Sequence, residues 1–88
     1  MAEQLVKIFK SLSDQTRINM VKFLIIKKES SCQEVSKKFP LSQPTLSHHF
    51  NKLIDSGILR VRKNGAAHYY SIDKKLLSSV GININKFI

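Results

Sequence analysis

A mostly helical fold with one small β-hairpin is what these 88 residues predict, and three observations carry it. Between Leu5 and Ile54 apolar residues recur every three or four positions, the period of an amphipathic helix. Capping residues, with Pro40 and Pro44, cut that stretch into four pieces. Past Gly57 the period drops to two on either side of Asn64-Gly65, as in paired strands. The expected order is α-α-α-α-β-β-α in a single domain spanning 1–88.

The first helix places Leu5, Ile8, Phe9 and Leu12 on one stripe over 3–12. Asp14 is an N-cap for the second, "QTRINMVKFLII", which turns Ile18, Val21, Leu24 and Ile25 inward. Met20, Phe23 and Ile26 widen that arc, so this helix is expected to be central and the most buried. "KKES" breaks the pattern. Ser31 with Glu34 forms a capping box for a short third helix, "CQEVSKKF", which Pro40 ends because the residue before a proline avoids helical dihedrals. Ser42 caps the fourth helix, from about Gln43 to Ser56, with Pro44 in its first turn and Gly57 at its left-handed end. A helix, a three-residue break and a second helix make a helix-turn-helix by spacing.

At about 100° per residue, Leu46, Phe50, Leu53 and Ile54 share one arc of the fourth helix. Opposite lie Pro44, His48, Asn51 and Asp55, flanked by Thr45, Ser47 and Lys52. Adjacent residues cannot share a helix face, so His48 points out while His49 sits at the edge of the apolar arc. The two are not a metal-ligand pair. In the hairpin, Asn64-Gly65 is expected to be the two-residue turn, with Lys63 facing Ala66. Leu59, Val61, His68, Tyr70 and Ile72 then share an inner face, and Arg60, Arg62 and Tyr69 an outer one. An apolar-backed, basic-fronted hairpin after a helix-turn-helix is a wing. A short "KKLLSSV" helix follows Asp73, then "ININKFI", apolar but too short to pack alone.

With 15 Lys and Arg against 6 Asp and Glu, the chain carries net +9 and a pI near 10, an electrostatic preference for polyanions. A lone cysteine forms no internal disulfide, and no apolar run of signal-peptide or membrane-spanning length is present. A cytoplasmic location, with no membrane partner, is expected. No Ser-His-Asp grouping, Gly-rich phosphate loop or paired carboxylates points to an enzyme.

The pieces "FKSLSDQTRINMVKFL" and "LSQPTLSHHFNKLIDSGILRVRKNGAAHYYSI" together resemble the ArsR/SmtB family of winged-helix repressors, over roughly residues 5–72. The resemblance implies a homodimer on DNA, joined through its first and last helices and released by a signal. Leu5, Ile8, Phe9, Leu76, Leu77 and Ile84 supply the apolar surface for that interface. Metal-sensing members carry Cys-x-Cys at the start of the third helix, where Ser31 and Gln33 stand here with Cys32 between them. The family's second metal site needs Asp, His and Glu on the last helix, and none occurs after Asp73. No metal or other cofactor is therefore expected, and control falls to protein abundance, a partner protein or an unidentified ligand.

On double-stranded DNA, Gln43, Ser47 and His48 are placed nearest base edges, with Gln43 matched to adenine by its paired donor and acceptor. Thr45, Lys37, Lys38 and Lys52 read as phosphate contacts. Arg60, Arg62 and the Lys63-Asn64-Gly65 tip are expected along the backbone or in the flanking minor groove. His68 fits either packing or a phosphate contact, and Cys32 fits a half-buried packing position. A nonspecific nucleic-acid binder of the same fold is the alternative, and sequence preference separates the two.

Overall fold

The computed structural model describes residues 2–87 and contains four helices ahead of the hairpin: α1 (Ala2–Ser11), α2 (Gln15–Lys27), α3 (Cys32–Lys38) and α4 (Gln43–Asp55). Their starts are chemically set. Asp14 accepts from the Arg17 N–H, Ser42 from the Thr45 N–H, and Ser31 and Glu34 exchange the two bonds of a capping box. Those backbone donations hold the Asp14 and Glu34 carboxyls below the usual carboxylate range.

Strands β1 (Ser30–Ser31), β2 (Leu59–Asn64) and β3 (Ala67–Ile72) form an antiparallel sheet ordered β1-β3-β2. The hairpin is thus joined by a third strand that the sequence does not announce. Ser30, which ends the "KKES" break, and Ser31 after it have no alternation to read, and only Tyr70 and Tyr69 opposite them make a strand there. Lys28, at φ 69, turns the chain out of α2 toward it. α5 (Lys74–Ser79), capped by Asp73, and a 3₁₀ turn (Ile84–Phe87) complete the described chain.

The hairpin register corrects the expected turn. Asn64 pairs with Ala67, so the turn residues are Gly65-Ala66 and not Asn64-Gly65. Gly65 has φ 63 and Ala66 no positive φ, the sign pattern of a II′ turn, which asks for glycine at its first central position. The partners change while the faces survive: Val61 opposes Tyr70, and Arg62 opposes Tyr69. Burial reaches only the base of the inner face. Leu59 and Tyr70 are buried, but Val61 is 38% exposed and His68 lies open, because nothing covers the outer half of the wing.

The core gathers Ile8 of α1, Met20, Val21, Leu24 and Ile25 of α2, Val35 of α3, and Leu46, Phe50 and Leu53 of α4, closed by Ile58, Leu59, Tyr70, Leu77 and Ile84. α2 is central, as its wide apolar arc implies. Ile26 is the exception at 70% exposure, about 100° round the helix from Ile25 and beyond any neighbour. Ile54 is likewise at the edge of its arc and exposed.

The residues expected to pair two subunits divide. Ile8 and Leu77 are fully buried in the protomer's own core, and Ile84 joins them. The tail does pack: Gly81, at φ 86, reverses the chain, and the Ile82 N–H bonds the Leu77 carbonyl, bringing Ile84 back over the core. Leu76 is half-buried against Gly57, where a Cβ would stand 2.9 Å from Leu76 Cδ2 and push that side chain aside; the φ of 86 is what calls for glycine there. Leu5 and Phe9 face outward.

Three interactions seat α4. Leu46 and Leu53 fill the core; the Phe50 ring stacks on Tyr70 of β3 at 4.5 Å; and Arg17 of α2 reaches His49. The guanidinium Nη1 lies 3.1 Å from His49 Nδ1 while Nε donates to the Ser11 carbonyl at 2.8 Å. Arginine only donates, so Nδ1 must be the unprotonated nitrogen. Asp14 stands 3.9 Å from the same nitrogen, too far to displace Arg17. Burial pushes the His49 pKa below the usual histidine value, against the pull of Asp14 and with Arg17 and His48 adding to the depression.

Acid should therefore weaken the fold in two stages. As pH falls through about 6.5, the unfolded chain takes up a proton that folded His49 refuses, and stability drops. Nearer pH ~4 the capping carboxylates Asp14 and Glu34, held low in the fold, give the second loss. Thermal melts between about pH 8 and about pH 5 should show the first stage in the native chain and a much smaller one in His49→Asn, whose amide oxygen accepts from Arg17 at either pH.

Candidate nucleic-acid interface

Seating the inner side of α4 leaves its other side bare. Gln43, Pro44, Thr45, Ser47, His48, Asn51, Lys52 and Asp55 are all exposed, while Leu46, His49, Phe50 and Leu53 are buried. The helix thus presents a polar row on a rigid support. His48 and His49 have ring centroids 5.7 Å apart yet opposite surroundings, as the wheel requires. Gln43 is the first residue of α4, exposed at its N-terminal end. The Ser42 hydroxyl donates to Thr45 Oγ1 at 2.8 Å, which orients the Thr45 hydroxyl and leaves its own proton to donate.

α3 and α4 are held at their turn by Phe39, which meets Phe23 of α2 edge-on at 5.9 Å. Lys37 and Lys38 end α3 and are exposed beside that turn. Lys52, by contrast, stands toward α1, near Lys7, Lys10 and Arg17.

The wing divides into engaged and unengaged cations. Arg62 makes a fork with Glu29, Nε to Oε2 at 3.0 Å and Nη2 to Oε1 at 2.9 Å, and its guanidinium lies 4.7 Å from the Tyr69 ring centroid. The hydrogen bond from Arg62 holds the Glu29 carboxyl below its usual range and raises the guanidinium in turn. Arg60 Nε is 3.6 Å from Asp73, the carboxylate that also caps α5. Both arginines are exposed on the outer face, each beside a carboxylate. Screening by solvent weakens an ion pair there, so a phosphate can compete for either of them. Lys63 and Asn64, exposed at the tip, have no such partner among the described residues.

Glu29 and Arg17 escaped the sequence reading. Glu29 lies 33 positions from Arg62 inside a segment that reads only as a break, and no helical or strand period links them. Arg17 sits in the first turn of α2 with no partner at helical spacing to announce its role, and its contact with His49 spans 32 positions.

Among the described residues no group of three His, Cys, Asp or Glu side chains converges to hold a metal ion. Cys32 begins α3 half-buried near Tyr70, whose hydroxyl is pushed up first by burial and then by Cys32.

Residues 14–61 match the family model for "Bacterial regulatory protein, arsR family". The chain is 34% identical over 83 residues to the arsenical resistance operon repressor of Staphylococcus aureus, covering 94% of this chain and 79% of that one. It superposes on the crystal structure of an ArsR family transcriptional regulator with TM-score 0.79 at 31% identity, over 91% of this chain and 81% of that one. The transcriptional repressor BigR from Xylella fastidiosa gives TM-score 0.74 at 25% identity, over 99% and 88%. The matched segment runs from the cap of α2 to the first half of the wing, the part that seats and bares α4. The chain belongs to the arsR family of bacterial regulatory proteins and is a DNA-binding repressor of transcription with a winged helix-turn-helix fold.

Proposed function

We propose that this repressor acts in the cytoplasm as a homodimer on a pseudo-palindromic operator, with α4 of each subunit in the major groove. The observation that carries the reading is the one-sided burial of α4, whose polar row from Gln43 to Asp55 faces solvent while its other side is locked by Leu46, His49, Phe50 and Leu53. In a two-fold dimer the two helices meet half-sites about one helical turn apart. Gln43, Ser47 and His48 read base edges. Thr45, Lys37, Lys38 and the Lys63-Asn64 tip hold phosphates, and Arg60 and Arg62 exchange their carboxylates for phosphate when DNA is bound.

The dimer reading rests on α1. Leu5, Val6 and Phe9 are 38%, 50% and 53% exposed on a ten-residue helix. Beside them Phe9, Leu12, Ile18, Ile82 and Ile84 line an open groove of about 490 Å³. So much exposed apolar surface on a small domain marks an association site. Substituting Phe9→Glu should convert a dimer to a monomer in sedimentation equilibrium at micromolar concentration, with helix content unchanged; a native chain that sediments as a monomer would sink the dimer reading.

Selection of genomic fragments with the purified protein should yield one preferred sequence, bound at least about tenfold better than random duplex at physiological salt. Against that site Gln43→Ala or Ser47→Ala should cost on the order of 1–3 kcal/mol and relax preference at particular bases. Lys63→Ala should instead weaken all duplexes alike and flatten the salt dependence. The opposite pattern would reverse these roles, and no preference at all would favour the nonspecific alternative.

The arsenical response in the Staphylococcus relative's name does not carry over. Soft-metal sites use paired thiolates, and this chain has a single cysteine. Arsenite, cadmium and zinc at low micromolar levels should leave the operator complex intact in a mobility-shift titration. Release that a chelator reverses would reveal a metal site these residues do not form within one subunit.

A further inference from the structure

Between the C-terminal half of α1 and the flank of α4 lies a cavity of about 130 Å³ lined by Lys7, Lys10, Ser11, Arg17, Lys52 and Asp55. Four cations meet there and one carboxylate answers them. That carboxylate, Asp55, is already engaged by Lys7 at 3.4 Å, so Lys10 and Lys52 converge on the cavity without a counter-ion on its wall, while Arg17 has the Asp14 carboxylate near it outside the lining. Like charges gathered at close range repel, and an anion that enters relieves the repulsion.

Hydrogen bonds fix the floor of the cavity. Ser11, 3% exposed, donates its hydroxyl to the Lys52 carbonyl at 3.0 Å and so binds α1 to α4. Arg17 is held by the Ser11 and Lys10 carbonyls, at 2.8 and 3.5 Å, and by His49 at 3.1 Å. A guanidinium has five N–H groups; three are directed at these partners, which leaves two for an occupant. A guanidinium held in place by three hydrogen bonds, with ammonium groups beside it, suits a tetrahedral oxyanion with several acceptor oxygens. Lys52 is four residues from His48 on α4, so the cavity lies at the margin of the row that faces the groove.

We infer that the Lys7, Lys10, Arg17 and Lys52 cavity is a phosphate-binding site, whose occupant is a phosphoryl group of the DNA backbone flanking each half-site or free inorganic phosphate. The choice of DNA as the carrier rests on the proposed docking of α4; the binding of phosphate itself does not. In the DNA-bound case the site adds a clamp from α1 to the contacts made by α4 and the wing. Such a contact orients the protein and reads no base.

Two readouts on the full chain test this. Inorganic phosphate titrated at millimolar concentration should shift the backbone amide resonances of Ser11, Arg17 and Lys52 saturably, and these shifts should be lost in the double variant Lys10→Gln/Lys52→Gln. Asp55→Asn, which removes the lone carboxylate, should tighten phosphate binding. In operator binding, each of Lys10→Gln and Lys52→Gln should reduce the log–log salt slope by about one, with Lys75→Gln, a charge-matched change on α5, as the control. Amide shifts with reduced slopes assign the site to backbone phosphate. Amide shifts with slopes equal to the control's, or with no operator binding by the native chain at all, assign it to the free anion and leave only the docking reading to fall. Reduced slopes without amide shifts assign it to backbone phosphate alone. No saturable shift together with control-like slopes overturns the inference, as does weaker phosphate binding in Asp55→Asn.

Discussion

Everything the molecule presents to a partner depends on how α4 is fastened along one side. Leu46 and Leu53 supply the apolar seat, the Phe50–Tyr70 stack at 4.5 Å ties the helix to the sheet, and Arg17 joins the ends of α1 and α2 to His49. These contacts differ in kind. Burial is directionless, a stack fixes a plane, and a guanidinium hydrogen bond fixes an atom. Together they constrain both the depth and the rotation of α4 about its axis. A helix free to roll would present His49 as readily as His48, and its outward row would have no defined chemistry.

The charges follow a related division. A net charge of +9 draws the protein toward a polyanion from any direction, but placement decides what each cation does on arrival. Arg62 lies on Tyr69 and forks to Glu29, and Arg60 leans on Asp73, so both are ordered in the free protein. Lys63 at the tip and Lys37 and Lys38 at the end of α3 have no comparable ion pair among the described residues. The arginine pairs also link the wing to the α2–β1 connection and to the start of α5. Glu29 is the pivot of that arrangement, since its carboxylate positions the Arg62 guanidinium.

Size explains the remaining surface. A chain of 88 residues buries a modest fraction of its area, and here Ile8, Leu77 and Ile84 are drawn into the protomer, leaving Leu5, Val6 and Phe9 outside. α1 then has two faces with two tasks. Ile8 and Ser11 bind it to the core and to α4, and the opposite face stays apolar and open. Anything that repositions α1 acts on α4 through the Ser11–Lys52 and Gln4–Ser56 hydrogen bonds and the Lys7–Asp55 pair.

The sequence by itself determined whatever rests on neighbours a few residues apart. The caps at Asp14, Ser31 and Ser42, the end of α3 at Pro40, the turn at Gly57 and the opposite orientations of His48 and His49 are all local consequences of dihedral preference and helical period. Even the wing's faces were legible, because alternation survives a register change of this kind. Tertiary structure alone decided the rest. The turn moved to Gly65-Ala66 because a II′ geometry needs glycine first, and Ser30–Ser31 became a strand only because β3 lay beside it. Which apolar residues of α1 and the tail go inside was settled by the chain's reversal at Gly81, and a wheel drawn on one helix cannot show that. The Arg62–Glu29 fork, the Arg17–His49 bond and the cationic cavity all join residues 32 or more positions apart or on different helices. Ion pairs and hydrogen bonds act through space between side chains, and a sequence records only separation along the chain.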